Sequence, residues 1–142
     1  MIFWGDKTIA LFDVWSIEHF MTGIFIGAFI STRTNDILQR LPKNYRYRYH
    51  FYKVMAIAFF WECIEHYLEA GLLSSVVTTW FRGVELWANR LITDPLLVLC
   101  GYCIVQRYPR ITLPARLFSV IWLILHIFVF PDCMYLQDKL TH

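Results

Sequence analysis

Glycine and proline are scarce in this chain, with six and five among 142 residues, and no Ser-, Gln- or Pro-rich tract occurs. The sequence therefore shows no disordered tail and no linker that would divide it. A Gly-rich phosphate loop is missing, as are G-x-S-x-G and any clear Ser/His/Asp set, so the usual phosphate-loop and serine-hydrolase motifs are not found. The opening "MIFWGDKTIALFD" carries one Lys against two Asp. Without a basic n-region or an A-x-A site, the first apolar stretch is expected to stay as a helix and not to be cleaved as a signal. Neither end carries a lipidation motif.

Apolar residues are what the chain has in abundance: 58%, with 18% aromatic and a mean hydropathy of +0.46. These values point to the membrane class. Four apolar stretches, 9–31, 51–68, 84–105 and 115–135, each approach the roughly 20 residues needed to cross a hydrocarbon core of about 30 Å. The expected fold is all-α, a four-transmembrane-helix bundle forming a single domain over residues 1–142.

The net charge of +2 is uninformative, but its distribution is not. Residues 33–53 hold Arg33, Arg40, Lys43, Arg46, Arg48 and Lys53, and the third loop holds Arg107, Arg110 and Arg116. Nine of the thirteen basic residues thus fall on one side, which predicts that both termini face away from the cytoplasm. Of the acids, only Asp36 lies in a cytoplasmic loop. The Tyr/Arg alternation at 45–49 reads as interfacial anchoring against anionic lipid, so membrane lipids are expected partners and nucleic acid is not.

Charges inside the spans are the informative part. At 100° per residue, Glu62, Glu65, His66 and Glu69 of "WECIEHYLEAG" share an arc of about 100°, with Phe59, Phe60, Ile64 and Tyr67 opposite. A carboxylate at the centre of a membrane costs about 2.5–3.5 kcal/mol, so these groups are expected to face the bundle, protonated, paired or bound to a cation. The first span offers Glu18 and His19, and His19, Gly23 and Gly27 follow at i+4 steps. Gly23 and Gly27 form a small-xxx-small face that admits a neighbouring backbone, which would bring His19 within reach of the Glu62 stripe. In the third span Glu85 and Asn89 are i, i+4 neighbours. Asp94 precedes Pro95, which lacks an N–H, so the helix is predicted to kink or restart there. The fourth span contributes His126 beside Trp122, and Asp132 is expected at the interface.

Carboxylates and imidazoles converging in a bundle are the makings of a metal site. The Glu62-x-x-Glu65-His66 spacing lacks the second Glu-x-x-His of a di-iron protein. One divalent metal, zinc, manganese or iron, is the expected cofactor, with His19, Glu62, Glu65, His66 and Asp94 as ligand candidates. Without metal, neighbouring carboxylates would share protons and serve as acid and base. Catalytic candidates are Glu62, Glu65 and Asp94; substrate-binding candidates are Asn89, Glu85 and Trp61. The alternative is a polar network that only fixes helix register. "IEHF" (17–20) and "IEHY" (64–67) echo one another, but four residues do not make an inverted repeat. Cys100 and Cys103 form a C-x-x-C, with Cys63 and Cys133 elsewhere; small buried hydrophobes are the simpler reading.

Taken together, His19 with Gly23, Trp61-Glu62 with Glu65, Gly83, Asn89, Asp94 and Gly101 resemble the VanZ-like group of small membrane proteins and its uncharacterised small-membrane relatives. Glu85 stands one residue later than the acid expected directly after the Gly. The resemblance covers three of the four helices and implies a bacterial envelope protein, the VanZ name being associated with glycopeptide-antibiotic tolerance. The expected function is an inner-membrane protein that binds or processes a lipid or lipid-linked substrate. The rival is a non-catalytic small subunit serving packing or proton transfer. A homo-oligomer or larger membrane complex fits either.

Overall fold

The computed structural model describes residues 2–75, 77, 81 and 83–125, with the backbone alone for 33–37. Asp13 sets where the first helix begins. Its carboxylate accepts from the Ser16 backbone N–H (3.0 Å) while Ser16 Oγ accepts from the Asp13 N–H (3.0 Å). This reciprocal cap satisfies donors that a helix start leaves open. Helix α1 then runs Val14–Leu38 and α2 runs Lys43–Glu69. A π-helical turn, Asn89–Thr93, leads directly into α3, Asp94–Arg107. A short 3-10 turn, Pro109–Ile111, connects to α4, Thr112–Ile124.

The protein is mainly helical, as expected, but three boundaries differ. Residues before Asp13 do not extend the first helix. Instead β1 (Ile2–Trp4) pairs in parallel with β2 (Ala10–Phe12), matching Ile2 to Ala10 and Trp4 to Phe12. Asp6 makes the turn between them: its Oδ1 accepts from the Thr8 N–H (2.8 Å) and Oγ1 (2.7 Å), a local bond that competes with helix. Helix α2 starts at Lys43, not 51, so the basic and aromatic segment belongs to the helix. In the third stretch, 84–86 is irregular and the break precedes Asp94 as the π turn. Pro95 has no N–H to donate to the preceding turn, and a wider turn accommodates that loss.

Packing is set by glycine. A Cβ on Gly23 would overlap the Val98 carbonyl oxygen, and one on Gly101 would overlap that of Phe20. Helices α1 and α3 therefore meet backbone to backbone, and this is the main helix–helix contact; α4 adds to α1, and α2 to α3. Ile30, Val54, Ala58, Val98 and Tyr102 form one apolar cluster, and Ile24, Val105 and Ala115 another. Among the described residues, buried polar and charged side chains are about as numerous as buried apolar ones, while Phe60, Leu91, Leu117 and Ile121 lie exposed. Among the described residues, one helix, Val14–Thr32 within α1, is long and apolar enough to cross a membrane, and 33% of its most apolar window is buried inside the chain. The outer part of the fourth expected span, with His126, Asp132 and Cys133, lies outside the described residues.

Candidate metal centre

Helical periodicity places the α2 glutamates. Glu62, Glu65 and Glu69, at i, i+3 and i+7, are all buried on the side that also carries Val54 and Ala58. From α1, His19 lies between α2 and α3: Nδ1 is 3.7 Å from Glu62 Oε1, and Nε2 is 3.4 Å from Asp94 Oδ2. The π turn and the start of α3 bring Asn89, Arg90 and Asp94, and the irregular residues before them bring Glu85. Asp13 closes the layer from the α1 cap, its Oδ2 accepting from Asn89 Nδ2 at 3.4 Å.

One end of this layer is fully paired around Glu69. Lys7, at the tip of the N-terminal turn, and Arg90 both bond its carboxylate, and the Glu85 backbone N–H donates to Glu69 Oε2 at 3.0 Å. The backbone of the turn is fixed as well, since Leu86 N–H donates to the Lys7 carbonyl at 2.9 Å. His66 belongs to the rim of this end. Its Nδ1 lies 3.0 Å from Arg90 Nη1, and its ring is exposed, outside the group around Glu62.

The other end holds oxygens without donors. Glu62 is 2% exposed, and neither of its carboxylate oxygens accepts a hydrogen bond. The same holds for Glu85 Oε2, Asn89 Oδ1 and Asp94 Oδ2, although Asn89 and Asp94 are fully buried. Arg90 stands at ion-pair distance from Glu62 Oε2 (3.9 Å) and Glu85 Oε2 (3.4 Å) without bonding either. Glu85 Oε1 is occupied, accepting from Asn89 Nδ2 at 2.6 Å, which turns the Asn89 carbonyl oxygen outward from that bond. Ser16 Oγ is 3.5 Å from Asp94 Oδ1. Buried acceptors in folded proteins are nearly always satisfied, so such a concentration of bare oxygens is a specific feature and not background.

Charge leads to the same place. Among the described residues, six buried carboxylates, Asp13, Glu62, Glu65, Glu69, Glu85 and Asp94, face two buried fixed cations, Lys7 and Arg90. Protons or bound cations must meet the excess, because unpaired buried charge is prohibitively costly. His19, Glu62 and Glu65 can each offer a ligand atom within 4.8 Å of the others, and so can Glu62, Glu85 and Asp94. Buried His, Glu and Asp side chains can therefore hold a metal ion here.

Among the expected site residues, His19, Glu62, Glu65, Glu85, Asn89 and Asp94 come together. Trp61 does not: it is 48% exposed on the outer surface of α2. Lys7, Asp13, Ser16 and Arg90 belong to the layer without having been expected there. Glu18 points elsewhere and accepts from Thr22 Oγ1 at 3.3 Å. Cys63, Cys100 and Cys103 are free thiols on the exposed surface, separate from the layer. No protein-family model, curated protein or solved structure matches the chain.

Proposed function

We propose that this chain is an integral protein of the bacterial inner membrane, built as four spanning helices with both termini extracytoplasmic. In this reading its buried carboxylate layer binds a divalent metal and acts on a lipid or lipid-linked molecule. The observation that carries the metal is the set of buried oxygens around Glu62 that no donor satisfies. Oxygen ligands with one imidazole suit zinc, manganese or iron better than a soft-ligand metal. A bound ion of this kind lowers the pKa of its water and polarises an ester or phosphoryl oxygen. Glu65 or Asp94 would then hold or deliver the proton, and Asn89 would orient.

Membrane residence is supported by the large apolar side chains left on the outside of the helices, by the apolar window of α1, and by the one-sided distribution of Arg and Lys. The VanZ-like resemblance supports the bacterial envelope as the location. A second reading is favoured by the paired end alone: the Lys7–Glu69–Arg90 network is what a non-catalytic subunit would use to fix its helices. Elemental mass spectrometry of the full chain, purified in detergent without chelator or metal-affinity resin, separates the two. Near-stoichiometric metal that is lost in Glu62→Gln supports the metal centre. Metal-free protein in both forms removes it and leaves the structural network.

A further inference from the structure

The two potential ligand groups are not independent. His19, Glu62 and Glu65 make one, Glu62, Glu85 and Asp94 make the other, and Glu62 alone belongs to both. We infer that the layer holds two divalent cations bridged by the Glu62 carboxylate, an inference that rests on the metal reading proposed above.

Four observations converge on a pair. First, Glu62 has both carboxylate oxygens bare at 2% exposure, whereas a single ion needs only one of them. A carboxylate that gives one oxygen to each of two ions holds them at the roughly 3.5–4 Å separation of two-metal sites. Second, each group has its own further donors: the His19 ring on one side, and the bare Asn89 Oδ1 together with Glu85 Oε2 and Asp94 Oδ2 on the other. Third, His19 has its Nδ1 3.7 Å from Glu62 Oε1 and its Nε2 3.4 Å from Asp94 Oδ2, so one imidazole abuts both ligand groups. Fourth, among the described residues six buried carboxylates against two fixed cations leave an excess of four charges, which two divalent ions balance without protons and one balances only with two protons added. The absence of a second Glu-x-x-His is no obstacle, because the second group adds Glu85, from the segment before α3, and Asp94, the first residue of α3, and not another helix repeat.

The roles then divide. The His19 side is the more nitrogen-containing site and the Asp94 side the all-oxygen one, so the two ions differ in affinity. Arg90, held to Glu69 and close to Glu62 and Glu85, borders the pair without entering it.

Manganese(II) alone is the probe. The full chain, stripped of metal in detergent, is titrated with Mn(II) and followed by electron paramagnetic resonance, with bound metal counted by elemental analysis. The expected result is about two equivalents bound and the spectrum of a magnetically coupled pair. Glu65→Gln and Asp94→Asn should each fall to about one equivalent and return the six-line signal of an isolated ion, while Glu62→Gln loses the coupling altogether. One equivalent in the wild type with an uncoupled signal overturns the pair and leaves the single-metal reading standing. No binding in the wild type overturns both. Because the wild-type count decides the matter, a variant that fails to fold does not shelter the inference.

Discussion

Two ends of one polar layer, less than three helical turns apart on α2, are built on opposite principles. At Glu69 every bond is closed: Lys7, Arg90 and the Glu85 N–H converge on one carboxylate. At Glu62, two turns earlier, the oxygens are equally buried and nothing donates to them. The first arrangement holds segments distant in sequence together; the second gathers carboxylate oxygens from several segments without a donor among them. Arg90 and Glu85 span the two: Arg90 bonds Glu69 and has its Nε 3.9 Å from Glu62 Oε2, while Glu85 donates its N–H to Glu69 and leaves Oε2 bare. The contrast teaches that burial of charge alone does not mark a site. What distinguishes the Glu62 end is burial without partners.

Breaking the paired end should cost most. Glu69→Ala removes the carboxylate that both Lys7 and Arg90 bond, and loss of about 3–5 kcal/mol is expected, as for other broken buried ion pairs. Thermal unfolding in detergent reads it; a change under 1 kcal/mol would mean that Glu69 is not the anchor of this end.

Separating α1 from α3 comes next. Gly101→Ala forces a methyl into the Phe20 carbonyl, and overpacking of this kind costs about 1–3 kcal/mol. It should also weaken metal binding, because the same α1–α3 contact sets His19 against Asp94. Lost stability with unchanged metal affinity would uncouple the two.

The bare end should respond the other way round. Without metal, Glu62→Gln is expected to change stability by less than about 1 kcal/mol, since no hydrogen bond to its carboxylate is lost. With metal at a hundred times its dissociation constant, the wild type should gain about 2.7 kcal/mol and the variant nothing. Equal responses in a thermal shift with and without a chelator would end the distinction between the two ends.

The smallest effect belongs to Trp61→Ala. The side chain is exposed and outside the layer, so metal content should be unchanged and stability should move by no more than about 0.5 kcal/mol. A loss of bound metal there would bring Trp61 back into the site.

These contrasts also show what the sequence could disclose. The α2 stripe follows from a 3.6-residue period, so Glu62, Glu65 and Glu69 were legible as one face, and the glycines at 23 and 27 announced a close helix contact. His66 lies at the edge of the same arc, and there the periodicity stops deciding: the ring turns outward to Arg90. The paired end was less legible because its cations come from non-local or irregular segments. Lys7 is 62 residues from Glu69 and sits on a turn made by Asp6, and Arg90 read as an ordinary outer-side base. Nothing in a helical wheel reports a partner that arrives from a strand pair. The Asp94-Pro95 break was visible, and the α-helix does begin at Asp94, but the wide turn over Asn89–Thr93 that leads into it depends on packing.

That wide turn has a consequence for how the layer tolerates length changes. A π turn carries about one residue more than an α turn of the same rise. Removing a single residue from Leu91–Thr93 would let the turn close into ordinary α-helix, because the surplus residue is what widens it, and the helical residues on either side would keep their faces. Removing Asn89 or Arg90 instead would take a side chain of the layer with it. An insertion in the turn after Asp6 would shift Lys7 and, through its carbonyl, the Leu86 N–H that it holds. The layer is therefore exposed to two kinds of inherited error: an absorbed change of length at the π turn, and a displaced anchor at the N-terminal turn.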